Sequence, residues 1–206
     1  MAKIIMAVGK SLGPYFDPKQ PGKQEPEYFE IHAGEGVGEF TGDQVLVWDL
    51  ARQEPEIQAL HKFDRAALEK VVRTKTKIKD PSPHVDFLLG EGVLVEVDLQ
   101  NEKEAKSFLK KYRLVPTADG YGNSPANFDQ FTLGRNGQVL MPISLRARSI
   151  WAYSHMRGSV WDGCESQAKG WRKAGKDVNA ADFGMEIAAH LPLIVSCGAG
   201  VLEPMA

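Results

Sequence analysis

Only two of the 206 residues are cysteine, Cys164 and Cys197. Both fall where a helix or a helix end is expected, which excludes a disulfide framework and points to a reducing, cytoplasmic setting. Two thiols also cannot complete a structural zinc site by themselves. The histidines, His32, His61, His84, His155 and His190, form no His-x-x-x-His pair, and no Cys-x-x-Cys occurs. The sequence therefore presents no metal motif and implies no cofactor. Long apolar runs are missing as well, and none approaches the roughly 20 residues that cross a bilayer. At the N-terminus the run Ile4 to Val8 is five residues long, lacks a cleavage site after it, and reads as a strand instead of a signal. Nor is one sign of charge in excess: 25 Lys and Arg against 27 Asp and Glu leave a net charge of −2. That balance argues against a surface built throughout for nucleic acid. Gly34-Glu-Gly36-Val-Gly38 lacks the Gly-Lys-Ser/Thr ending of a phosphate loop, runs into an expected strand, and reads as a hairpin turn.

With 43% hydrophobic and 25% charged residues, the composition is that of an ordinary folded protein. Its most informative feature is a repetition. Residues 84–97, His-Val-Asp-Phe-Leu-Leu-Gly-Glu-Gly-Val-Leu-Val-Glu-Val, read as a helix end running into a strand, and residues 190–203, His-Leu-Pro-Leu-Ile-Val-Ser-Cys-Gly-Ala-Gly-Val-Leu-Glu, repeat the pattern. Setting His84 on His190 places Leu88 on Ile194, Leu89 on Val195, Gly92 on Gly198 and Val95 on Val201. Gly90 and Gly92 in the first copy, and Gly198 and Gly200 in the second, supply the left-handed stop that ends a helix. An earlier stretch also pairs at one constant offset: Gly34 with Gly137, Thr41 with Ser144, Trp48 with Trp151. Paired tryptophans at helical positions read as core.

In chain order, a strand over residues 1–10 precedes a mobile arm over 11–27, which holds four prolines and two glycines. A hairpin turning at Gly34 follows. Thr41 then caps a helix over 43–52, in which Val45, Leu46, Trp48, Leu50 and Ala51 demand packing on several sides. Residues 53–62 read as a polar connector, 63–75 as a helix that Asp64 caps, and the helix of the repeat begins after Asp80-Pro-Ser-Pro83. An amphipathic helix over 101–113 links the halves, and residues 119–125 read as turns. Arg135-Asn-Gly137 marks a second hairpin. Helices are expected over 144–156, 160–174 and 180–197, the last kinked or split near Ala189 by Pro192. The division is an arm (1–27), a first domain (28–99), a linker (100–127) and a second domain (128–206).

Strand, strand, three helices and a closing strand is the order in each copy, and in this the chain resembles the winged-helix group. The fold expected is α+β, two tandem winged-helix-like domains joined by a helix. The resemblance covers about 70 residues per copy and has two branches. One is the DNA-binding winged-helix regulators. The other is the peptide-recognition domains of ribosomal-peptide maturation, similar to the peptide chaperone of pyrroloquinoline-quinone synthesis.

These branches ask different things of the third helix. A DNA reader needs Arg, Lys, Asn or Gln on its exposed face. Here the first copy presents His84, Asp86 and Glu91, and the second Asp182, Glu186 and His190, carboxylates that repel phosphate. The leading expectation is a non-enzymatic protein that binds a protein or peptide partner, basic in charge, along a strand edge and the groove beside these residues. The alternative is a DNA-binding regulator docking double-stranded DNA through Lys70, Arg73, Lys75, Lys77 and Lys79. Lys169, Arg172, Lys173 and Lys176 keep the same sign in the second copy. A further alternative is a structural subunit of a phage or bacterial assembly, whose N-terminal strand and arm pack on or exchange with a neighbouring copy. His155 and Cys164 are nine residues apart, but no orienting group or oxyanion hole accompanies them, and the cysteine reads as core.

Overall fold

The alternation of Ile4, Ile5, Met6, Ala7 and Val8 decides how the halves are joined. In a computed structural model, which describes residues 3–20 and 22–205, Ile4–Ala7 form strand β1, and its side chains alternate between two cores. Ile5 and Ala7 pack with the first half, whereas Ile4, Met6 and Val8 pack with the second. A strand with both faces covered reads as a continuous apolar run, as this one does.

The first half continues through β2 (Lys10–Tyr15), β3 (Tyr28–Ala33), β4 (Gly36–Phe40), α1 (Gly42–Leu50), α2 (Pro55–Ala59), α3 (Arg65–Lys75), α4 (Ser82–Gly90) and β5 (Leu94–Val97). The second comprises α5 (Glu102–Leu109), β6 (Tyr112–Pro116), β7 (Asp119–Ser124), β8 (Asn127–Arg135) and β9 (Gln138–Ser144). It goes on through α6 (Leu145–Tyr153), a 3-10 turn (Ser154–Met156), α7 (Val160–Lys173), α8 (Ala180–Ser196) and β10 (Gly200–Pro204). The fold is α+β, with small antiparallel sheets. Strands β2-β3-β4 and β7-β8-β9 form two meanders, and β1 with β5 and β6 with β10 form two ribbons.

Local chemistry sets many of these boundaries. Thr41 Oγ1 accepts from Gln44 N (3.3 Å) while Gln44 Oε1 accepts from Thr41 N (2.7 Å), a capping box that starts α1. Ser144 Oγ accepts from Ala147 N (3.2 Å) at the start of α6, and Asp64 Oδ1 from Ala67 N (2.9 Å) at the start of α3. Gly92 (φ +71°) and Gly198 (φ +70°) adopt the left-handed conformation after α4 and α8. Gly90 and Gly200 do not, lying within the helix and the strand. Asn136 (φ 51°) and Gly137 (φ 81°) make the expected tight turn between β8 and β9.

Other expectations are corrected by long-range packing. The strand after α4 forms no hairpin of its own; β5 pairs with β1 at the other end of the half, and β10 pairs with β6 in the same way. Within the chain, the partner strand of β1 is β5. The first five residues of the arm are strand, since Lys10–Tyr15 pair with β3. The polar connector contains α2, started by Pro55 and docked on α8. The linking helix is shorter than expected and belongs to the second core, where Ala105, Phe108 and Leu109 are buried. Residues 119–124 form strand β7, with register shifts at its glycines. Pro192 does not split α8: burial of Ile187, Ala188, Leu191, Pro192 and Ile194 holds the helix continuous despite the amide that proline lacks.

The halves also meet through polar contacts. Gly9 N donates to Leu202 O (2.8 Å) and His61 Nε2 to Ala189 O (3.0 Å). Gly9 has φ +85°, and a Cβ there would lie 2.4 Å from His32 O, so a side chain would force the crossing apart.

Candidate functional site

The six residues expected to line a groove are not brought together. On α4, the Asp86 carboxylate pairs with Arg65 (Oδ1 to Nη1, 2.7 Å), whose Nε donates to Glu69 (3.0 Å). Glu69 also receives Arg73 Nη2 (3.0 Å) and Ser82 Oγ (2.9 Å). This chain of charges joins α3 to α4. The Arg65 hydrogen bond, with its charge, holds the Asp86 carboxyl below its ordinary value. For Glu69, burial pushes upward, but hydrogen bonds from Arg65, Ser82 and Arg73 outweigh it, so its carboxyl too is held low. Asp86 is thus already neutralised by a neighbour. His84 is half-buried and Glu91 stands exposed at the C-cap of α4.

On α8 the matching residues have other duties. Asp182 completes a capping box, its carboxylate accepting from Asn179 N (2.7 Å) while Asn179 Oδ1 accepts from Asp182 N (3.0 Å). His190 Nδ1 donates to Glu186 O (2.9 Å), one turn back. α8 packs against α2, α5, α6 and α7 as a central core helix, and His190 alone of the three lines an open cavity, of about 280 Å³, beside β8 and β9. His84 and His190 are both half-buried, but His190 is tied to its own helix while α8 is packed among four others.

The basic run is partly spent in the same way. Arg73 belongs to the Glu69 network, and Lys75 Nζ lies 2.6 Å from Glu54 Oε1 and 3.2 Å from Gln53 Oε1. Lys70, Lys77 and Lys79 are exposed, with no ion pair among the described residues.

An open apolar groove lies elsewhere, between β2 and α1. It encloses about 470 Å³ and is floored by Phe29, Val45, Leu46 and Trp48, with Pro14 on one lip and Asp49 on the other. Leu46 is 40% exposed there, while Leu12 on β2 is 52% and Phe16 just after it 48% exposed. The apolar excess of the helix over 43–52 was the available signal. That excess predicts packing on several sides, whereas Val47, Trp48 and Leu50 are buried and Leu46 faces the groove. The β2 edge itself is blunted for strand pairing, because the register shifts between Ser11 and Gly13 and Pro14 has no amide proton. What the groove offers is a surface for apolar side chains.

Catalytic chemistry finds little support in the thiols. Burial pushes the Cys164 thiol up to about 12, so it is protonated at neutral pH, and His155 stands exposed on the 3-10 turn. Cys197 is raised by burial too, and both cysteines are free. Among the described residues no three His, Cys, Asp or Glu side chains are grouped to hold a metal ion, and no helix is long and apolar enough to cross a membrane. Comparison with known proteins finds no family model, no curated protein and no solved structure that this chain matches.

Proposed function

We propose that this chain is a non-enzymatic, cytoplasmic recognition protein that takes apolar side chains of a protein or peptide partner into the groove between β2 and α1. We further propose that its halves are two copies of one winged-helix-like unit. The observation that carries the binding reading is an open groove of about 470 Å³ lined by Pro14, Phe29, Val45, Leu46 and Trp48, with Leu46 40% exposed in it. An open apolar groove is a usual place for a partner's side chains. For the repeat, support comes from the matched caps at Thr41 and Ser144, the matched left-handed glycines, and the two ribbons that close the halves alike.

The site differs from the one the sequence suggested, and so does the partner's character. With Asp86 neutralised by Arg65 and Asp182 occupied as a cap, apolar contact replaces basic charge as the main attraction. The DNA-binding alternative draws less support from the same geometry, since Arg73 and Lys75 already have carboxylate partners.

Panning a random linear peptide library on the wild type, with Leu46→Asp as counter-selection, tests the reading. Enriched peptides should carry spaced large apolar residues and bind the variant about tenfold or more weakly, the loss expected for one central apolar anchor. Their chemical-shift footprint should cover residues 11–14 and 45–49. Equal binding to both proteins would move the site elsewhere. A salt-sensitive shift of mixed-sequence duplex DNA, abolished by charge reversal at Lys70, Lys77 and Lys79, would replace the reading with the DNA-binding one.

A further inference from the structure

Two arginines, one from each half, meet over Gly198. Arg52 follows α1 in the first half, and Arg135 ends β8 in the second. The position that a Cβ on Gly198 would take lies 3.7 Å and 3.8 Å from Arg135 Nη1 and Nη2 and 4.0 Å from Arg52 Nη2. Arg135 is fixed there, its Nη2 donating to Thr117 O (2.9 Å) and to Gly198 O. The Arg52 guanidinium lies over the Trp48 ring, 5.2 Å from its centroid. Among the described residues, neither guanidinium has a carboxylate within ion-pair distance, and that of Arg52 has no hydrogen-bond acceptor.

Like charges brought this close repel, and burial strengthens the repulsion because less water screens it. Burial, with the charge of Arg135 adding to it against the pull of Asp49, holds the Arg52 guanidinium below its ordinary value. Beside the pair opens a cavity of about 500 Å³ between the end of α1, α2 and the end of α8, lined by Arg52, Glu54, Glu56, Lys75 and Ser196. Its carboxylates do not occupy the space between the arginines. Glu54 is tied to Lys75 at 2.6 Å, and Glu56 stands exposed.

We infer that this junction binds a phosphate group, received between the guanidiniums of Arg52 and Arg135. The planar fork of guanidinium matches tetrahedral oxyanions through paired N–H donors, and a dianion relieves the repulsion of two arginines where a single carboxylate relieves half of it. Because the two arginines come from different halves, the ligand bridges them. Its binding therefore tightens the packing of α1 and α2 against α8 and β10. The site shares the Trp48 ring with the apolar groove, and its chemistry does not depend on that groove's being filled.

Thermal unfolding of the full chain in inorganic phosphate, against sodium chloride at equal ionic strength, is the test. Phosphate should raise the midpoint by about 2–4 °C in the wild type, the shift a modest excess over its dissociation constant gives a chain of this size. In Arg52→Gln and Arg135→Gln the rise, each measured from the variant's own baseline, should vanish, while Leu46→Asp should keep it. O-phosphoserine in a parallel arm separates a phosphorylated ligand, which should act at lower concentration, from free phosphate. If a glutamine variant fails to fold, the arginine Nε–H resonances of the wild type decide: phosphate should shift two of them together, saturating at one equivalent per chain. No midpoint shift in the wild type, an equal shift in both variants, or unmoved arginine resonances would overturn the assignment.

Discussion

Trp48 and Trp151 show how one residue type serves two matched places through different acceptors. Trp48 Nε1 donates to Val8 O (3.0 Å), whereas Trp151 Nε1 donates to Ala199 O (2.9 Å). Val8 and Ala199 sit at the mouths of the two ribbons, where Val8 N donates to Val93 O (2.8 Å) and Thr117 N to Ala199 O (3.1 Å). Each indole therefore satisfies a carbonyl where a ribbon opens, a duty that burial imposes on both. Cys164 shows the opposite case, a polar group stripped of partners. With its thiol pushed up to about 12, the folded state keeps a proton that the unfolded chain releases at lower pH. The stability this adds is complete below the unfolded thiol's value and is lost as pH rises from about 9 toward 12. Thiol-reagent labelling followed by mass spectrometry at pH 8 should modify Cys164 only at the rate of unfolding. Rapid labelling in the native protein would show that the thiol is accessible.

At the scale of elements, the matched caps make a quantitative comparison. Thr41→Ala and Ser144→Ala should each cost about 1 kcal/mol in denaturant unfolding, since each removes a side-chain acceptor from a free amide of the first turn. A cost at one position and none at the other would mean that the two helix starts are not energetically alike. These caps were legible in the sequence because capping is decided within three or four residues. The same holds for the turn at Asn136-Gly137 and for the stops at Gly92 and Gly198, where a backbone conformation selects the residue. Short apolar and polar stretches were less legible. The polarity of segment 53–62 predicts a connector, although Gln58 is buried there, its Nε2 donating to Ala51 O (3.0 Å). Only the docking of α2 on α8 makes a polar helix of five residues worth forming.

For the whole molecule, the decisive feature is the ribbon of β1 and β5 between the halves. Ile4, Met6, Val8, Val97 and Leu99 all pack into the second core. A fragment of residues 100–206 loses these five side chains, and fully burying such a side chain stabilises by about 1.5–3 kcal/mol. Their sum is comparable with the whole stability of a typical domain. Expressed alone, the fragment should therefore show no dispersed amide spectrum, and the full chain should unfold in one transition. Removing residues 1–27 should unfold the protein instead of leaving a soluble monomer. A well-folded fragment would establish that the halves are separable after all.

By itself, the sequence determined the mixed class of the fold, the matched landmarks of its halves, and the starts and ends of most helices. Each of these follows from periodicity, capping or turn chemistry acting over a few neighbouring residues. Tertiary structure alone decided which strands pair, that α8 packs among four helices while Leu46 is open, and that Arg65 neutralises Asp86. It also decided that Arg52 and Arg135, 83 positions apart, meet over one glycine. These are long-range outcomes, in which the environment of a side chain is set by elements far along the chain. The sequence carries the groups, and only packing settles which of them remain free.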